Sequence, residues 1–231
     1  MTARPRALVS WSSGKDSAWA LETARREGRL EVVGLLTTVT AGYGRVAMHG
    51  VRESVLDLQA AAAGLPCVKV TIPPGCVNAE YERALAEALA AARSRGVERI
   101  VFGDLFLEDV RRYREERLAA AGIRPEFPLW GRDTAELARE MIREGVDARI
   151  VCLDPARVPE DLAGAPFDAA LLARLPAGAD PCGENGEFHT CVAAGPMFRE
   201  RLCLEPGAVV RREGFVFADL VPAPVPVPAA S

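Results

Sequence analysis

The first hundred residues alternate short apolar runs with amphipathic helical stretches, and this alternation limits the possible folds more than any other feature of the chain. Ala7-Leu8-Val9 runs into Ser10-Trp11-Ser12-Ser13-Gly14, and residues 31–37, 67–72 and 99–102 are further apolar runs. Between them lie three helical patterns. Residues 17–26 carry Ala18, Leu21 and Ala24 on one face and stop at Gly28. Residues 51–63 carry Val51, Val55, Leu58 and Ala62 and stop at Gly64-Leu65-Pro66. Residues 78–94 start at Asn78 and carry Tyr81, Leu85 and Leu89. The strand segments are continuously apolar, not alternating, so both of their faces must be covered. An α/β protein with a parallel sheet between helices is expected.

After Gly122 the texture changes. Pro125, Pro128 and the turn Trp130-Gly131-Arg132 precede a helix over 134–143 and a strand over 148–153, and Pro155, Pro159 and Pro166 break the next stretch. A short helix over 168–175 and strands over 187–193, 208–212 and 215–220 complete a smaller α+β region. The expected division is 1–125, 126–220 and an extended, disordered proline-rich tail at 221–231.

The net charge of −4 lacks the basic surface that sequence-independent nucleic-acid binding requires. Six cysteines occur without a single C-x-x-C spacing, which disfavours a zinc ribbon, an iron–sulfur site or a thioredoxin-like centre. No signal peptide is visible, and no apolar run approaches the ~20 residues of a membrane helix. A soluble cytoplasmic protein with reduced thiols is expected, with no nucleic-acid or membrane partner.

Ser12-Ser13-Gly14-Lys15-Asp16-Ser17 joins the first strand to the first helix. Small residues let the backbone approach an anion, and the N–H groups that open a helix point at it. Lys15 adds a positive charge, while Ser12 and Ser17 add hydroxyl donors. Asp16 suits Mg²⁺ or its waters more than a bare phosphate. The Walker A pattern is absent: Val9 stands where its first glycine belongs, and Asp16 where Ser or Thr follows the lysine. An ordinary serine-capped helix start has much the same composition. Near the C-terminus, Gly183-Glu184-Asn185-Gly186-Glu187-Phe188-His189-Thr190 gathers carboxylates, an amide, an imidazole and a hydroxyl. On a strand from Glu187, Glu187 and His189 share one face and could enter one pocket; a polar hairpin is the alternative.

The loop resembles the S-G-G-K-D-S pyrophosphate loop of N-type ATP pyrophosphatases, with Ser13 in place of a glycine. Serine is small enough to keep the loop conformation if that position does not need a positive φ. The second motif resembles the hallmark of the diphthine–ammonia ligase family. That resemblance extends through Met48-His49-Gly50, Asp57-Leu58-Gln59-Ala60, Gly64-Leu65-Pro66 and Pro128-Leu129-Trp130-Gly131-Arg132-Asp133, covering roughly residues 7 to 198. It implies a Rossmann-like domain of the adenine nucleotide alpha hydrolase type, followed by a smaller acceptor domain. The implied reaction is adenylation of a carboxylate by ATP, with AMP and pyrophosphate released, then attack by ammonia. In the diphthine ligases the carboxylate belongs to a modified histidine on a translation elongation factor.

The resemblance assigns the nucleotide to Ser12, Ser13, Gly14, Lys15, Asp16 and Ser17, with Thr37, Thr38, Met48, His49, Gly103 and Asp104 nearby and Asp16 toward Mg²⁺. It assigns the acceptor to Glu184, Asn185, Gly186, Glu187, His189 and Thr190, and catalysis to Lys15, Asp16, Glu187 and His189. The segment from Gly103 to Arg114 departs from the Ser-x-Tyr-Gln-Arg type seen in diphthine ligases. The acceptor is therefore expected to be a small or protein-borne carboxylate, a corrinoid-related one included. ATP and ammonia are the expected partners and a homodimer is allowed. A nucleotide-binding sensor without ligase chemistry and a tRNA-thiolating relative are the rivals, the second disfavoured by charge and cysteine spacing. His49 fits an adenine contact or a capping role equally. Cys182, His189 and Cys191 match no structural zinc spacing. Arg111, Arg112, Arg114 and Arg117, among acidic neighbours, read as a solvated salt-bridged helix face from which one arginine could reach phosphate or acceptor.

Overall fold

A computed structural model describes residues 3–42, 44–46 and 50–223. Met48, His49 and residues 224–231 of the expected tail lie outside the described residues. In the first half the order is β1 (Arg6–Ser10), α1 (Lys15–Glu27), β2 (Glu31–Thr40), β3 (Arg45–Val46), α2 (Glu53–Ala63), β4 (Cys67–Ile72), α3 (Asn78–Ser94), β5 (Val97–Val101), α4 (Glu108–Ala120) and β6 (Arg124–Glu126). There follow α5 (Thr134–Arg143), β7 (Asp147–Leu153), a 3₁₀ turn (Glu160–Leu162), α6 (Ala169–Arg174), β8 (Phe188–Ala194), β9 (Leu204–Arg212) and β10 (Phe215–Pro222).

The first sheet runs β4-β2-β1-β5-β6 with all neighbours parallel, and β3 pairs antiparallel with the end of β2. The second is antiparallel, in the order β8-β7-β10-β9. Together they form a Rossmann-like layer beside a smaller α+β layer.

The parallel strands bury both faces because successive side chains point opposite ways. Ala7 and Val9 enter a core shared with Trp19, Leu21 and Leu56, and this same core continues into Leu137, Ile150, Val192 and Leu220 of the second half. Leu8 points to the other face, where Leu36, Leu89, Ile100 and Leu118 pack under α3 and α4. One core therefore spans both sheets.

The sequence pattern does not disclose β3 and β6. The first has two residues, and the second contains Pro125 at a sheet edge, where the missing N–H costs no ladder bond. β6 also carries the first sheet across the expected boundary at 125/126. Edge strand β9 starts at Leu204, four residues before the expected strand, and includes Pro206 for the same reason. Helix α1 begins at Lys15, two residues earlier than its apolar pattern suggests. Among the described residues no helix is long and apolar enough to cross a membrane.

Candidate functional site

The loop after β1 lies at the C-terminal edge of the parallel sheet, where α/β proteins bind ligands. Gly14 is the N-cap of α1 in extended conformation, and no side chain caps the helix. The serine-capped alternative does not describe this start. Ser17 Oγ donates to Gly14 O at 3.0 Å and lies 3.2 Å from Ser12 Oγ, so both hydroxyls help shape the loop. Ser13 takes φ +71°, the left-handed conformation that favours glycine, so the departure from the family loop falls where the glycine mattered. Its hydroxyl is buried without a hydrogen-bond partner.

Three outside contacts hold this backbone. Gln59, fully buried on α2, donates to Ser13 O at 3.1 Å and Val192 O at 2.8 Å, while accepting from Trp11 Nε1 at 3.0 Å. From β8, Val192 N donates to Ser13 O at 3.0 Å, and Thr190 Oγ1 accepts from Lys15 N at 3.1 Å. Beyond β5, Gly103 lies so close that an added Cβ would meet Asp16 C at 2.6 Å and Ser17 N at 2.8 Å. The motifs near residues 14 and 190 thus meet in one wall. Gln59 belongs to a motif visible in the sequence, but only the fold shows that it anchors the loop.

Lys15 is only 1% exposed. Its ammonium donates to Asp16 Oδ2 at 2.9 Å and to Cys182 O, 5.2 Å from the Phe167 ring centre and 5.3 Å from that of Phe188. Burial works to lower its pKa, but Asp16, the Cys182 thiol and Asp180 outweigh this and hold it above the usual lysine value. Through the Cys182 carbonyl, Lys15 ties the loop to the 180–187 segment. Burial pushes the Asp16 carboxyl above the usual range against the pull of Lys15. Asp16 Oδ1 is buried and has no hydrogen-bond partner. Such an oxygen, on a residue that lines the cleft, fits Mg²⁺ or one of its waters.

The cleft has two adjoining chambers. One, about 390 Å³, is largely apolar and lined by Leu36, Thr38, Ile72, Tyr81 and Leu85 among others. The second, about 290 Å³, is lined by Ser12, Gly14, Asp16, Ser17, Gly103, Asp104, Glu184, His189 and Thr190 among others. Ser10, Ser12, Phe102 and Arg114 line both. Thr38 therefore faces the apolar chamber. Thr37 is buried and donates to Trp11 O at 2.8 Å, bracing the start of the loop.

The 180–187 segment is folded on its own carboxylates. Asp180 Oδ2 accepts from Cys182 N at 3.1 Å and Glu184 N at 2.9 Å. Glu187 Oε1 accepts from Asp180 N at 3.0 Å and Asn185 Nδ2 at 3.1 Å. Burial would raise the Glu187 pKa, yet these hydrogen bonds outweigh it and leave it lowered. β8 begins at Phe188, and of the pair Glu187 and His189 only His189 lines the chamber. Asn185 is exposed, and Gly186 takes the turn at φ +87°. Glu184 reaches into the chamber, where Leu105 N donates to its Oε1 at 2.8 Å. Burial, with help from Asp16 and Asp104, raises Glu184 to about 7. Burial and the Lys15 charge lower His189 to about 4, so its imidazole is neutral at pH 7.

The departing segment contributes a residue that was only one of four candidates in the sequence. Asp104 accepts a forked pair of hydrogen bonds from Arg114 of α4, at 2.5 and 3.0 Å, and the guanidinium lies 4.4 Å from the Phe102 ring centre. Arg114 shares a helix face with buried Leu118 four residues on, a spacing that could have marked it as turned toward the sheet. Cys182 and Cys191 are buried free thiols, the latter pushed up to about 12 by burial. Among the described residues no three His, Cys, Asp or Glu side chains form a metal cluster.

Comparison with known proteins agrees with this architecture. The diphthamide synthase N-terminal domain matches residues 5–125, and the diphthamide synthase C-terminal domain matches residues 133–216. Diphthine–ammonia ligases of Bos taurus and Homo sapiens are each 28% identical over 187 residues, covering 74% of this chain and 69% of the relative. That of Danio rerio is 25% identical over 228 residues, covering 84% of this chain and 89% of its own length. With both matches in order on one chain, the protein belongs to the diphthamide synthase family and is an ATP-dependent ligase that forms carbon–nitrogen bonds.

Proposed function

We propose that the chain adenylates a carboxylate and passes the acyl group to ammonia, releasing pyrophosphate and AMP. The observation that carries this reading is that an apolar chamber adjoins, at Ser10, Ser12, Phe102 and Arg114, a second one lined by the 12–17 loop, Glu184 and His189. The apolar chamber suits adenosine, with Thr38 and Tyr81 on its wall. The phosphates then lie along Ser12, Gly14 and Ser17, and the acceptor enters beside His189 and Thr190. The acceptor is a carboxylate. Diphthine, named in the relatives, is the first to test, and a corrinoid-related carboxylate is the alternative.

A carboxylate oxygen attacks the α-phosphorus, and the bond to the β-phosphate breaks with its electron pair leaving on pyrophosphate. Ammonia then adds to the acyl carbon and loses a proton, and AMP departs with the electron pair of the acyl–oxygen bond. Glu184, near neutrality in its pKa, takes that proton. Neutral His189 donates a hydrogen bond to the acceptor. Glu187, Asp180 and Lys15 hold the walls in register. Asp16 would hold Mg²⁺, which would supply positive charge against the phosphates. Most of the catalysis is positioning and charge stabilisation.

The test is product analysis with [α-³²P]ATP, ammonia and candidate carboxylates. Labelled AMP that depends on the carboxylate is expected. ADP with orthophosphate overturns adenylation, and binding of ATP without turnover of any carboxylate returns the chain to a nucleotide sensor.

A further inference from the structure

A triphosphate needs positive charge, yet Lys15 lines neither chamber and is occupied by Asp16 and Cys182 O. Among the described residues lining the two chambers, Arg114 and Arg117 are the only lysines or arginines. Arg117 lines the apolar chamber alone and is paired with Glu82 at 2.6 Å. Arg114 lines both, beside Ser12 at the waist between them. Nucleoside in one chamber and terminal phosphates on the loop would put the α-phosphate at that waist.

We propose that Arg114 is the α-phosphate contact, and that Asp104 holds its guanidinium ready and competes with the nucleotide for it. The proposal rests on the adenylation reading, which it deepens by naming the group that receives the developing charge. The fork of N–H donors now satisfied by the two oxygens of Asp104 matches two non-bridging phosphate oxygens equally well. Stacking on Phe102 fixes the guanidinium plane in either state. As the acceptor oxygen bonds to the α-phosphorus and pyrophosphate leaves, negative charge gathers on those oxygens. The Arg114 guanidinium stabilises that charge.

The test compares AMP, which carries only the α-phosphate, with adenosine, which carries none, by calorimetry on the full chain. The wild type should prefer AMP. Arg114→Ala should remove that preference, weakening AMP about tenfold or more while leaving adenosine unchanged. Asp104→Asn should act in the opposite direction and tighten AMP about threefold by freeing the guanidinium. If Arg114→Ala does not fold, Arg114→Gln and Asp104→Asn carry the comparison, since a purely structural ion pair would not shift AMP affinity upward. In turnover, Arg114→Ala should lower the rate of AMP formation about a hundredfold. An AMP preference that survives in Arg114→Ala, or Arg114→Gln where Ala does not fold, or AMP binding weakened in Asp104→Asn, overturns the proposal. Should the wild type release ADP, the adenylation reading falls, while the AMP–adenosine comparison still decides the contact.

Discussion

Ser13 keeps the phosphate loop in shape at a cost that glycine would avoid. A left-handed φ costs an L-residue about 1–2 kcal/mol, and here a buried hydroxyl also lacks a partner. Ser13→Gly should therefore raise stability by about 1 kcal/mol in urea denaturation and leave ATP affinity in place. His189 contributes a pH dependence of known sign. Its folded pKa is about 4, against an ordinary 6.5, so it is neutral in both states above pH 6.5. Below that the unfolded chain takes up a proton that the folded one refuses, and stability is lost between pH 6.5 and about 4. Wild type should lose about 2 kcal/mol more than His189→Gln on going from pH 7.5 to 5. Glu184 acts on rate. It must be ionised to take a proton, so turnover at fixed free ammonia should rise with pH through about 7, with Asp16, Asp104, Lys15 and His189 as the charged and titratable groups around it. Glu184→Gln should lower turnover at least ~100-fold and flatten that rise. The types and positions of these residues are visible in the sequence. Their protonation states are not, because burial set by β8 and the 103–107 segment decides them.

Among the elements, the apolar runs and glycine stops of the first hundred residues were legible because β1, β2 and β5 are buried on both faces and the helices on one. The two-residue β3 and the proline-bearing β6 were not, since an edge strand needs neither continuous apolarity nor every N–H. The site was legible in its two motifs and not in their relation. No spacing rule reveals that Thr190 accepts from Lys15 N, or that Glu187 turns into its own loop while Glu184 enters the cleft. The approach of β5's exit to the loop gives a sharp test. In Gly103→Ala the new methyl meets the backbone of Asp16 and Ser17, which cannot swing aside as a side chain would. A loss of about 1–3 kcal/mol in stability is expected, with weakened ATP binding by calorimetry.

At the scale of the whole molecule, the two sheets share one core, with Val9 and Trp19 joined to Ile150, Val192 and Leu220. Denaturation should be a single cooperative transition. Tryptophan fluorescence, from Trp11, Trp19 and Trp130, should coincide with far-ultraviolet circular dichroism, and separate midpoints would show that the sheets unfold independently. The waist shared by the chambers, formed by Ser10, Ser12, Phe102 and Arg114, also has a use in inhibitor design. The apolar chamber adjoins the one beside His189 at these four residues, so a single molecule built across them would address both. An adenosine joined through an uncleavable sulfamate to a carboxylate mimic would take up the space of two reactants and lose its freedom of motion only once. Such a bisubstrate compound should bind more tightly than either fragment by far more than a simple sum, and the acyl portion that binds best would report the shape of the natural acceptor.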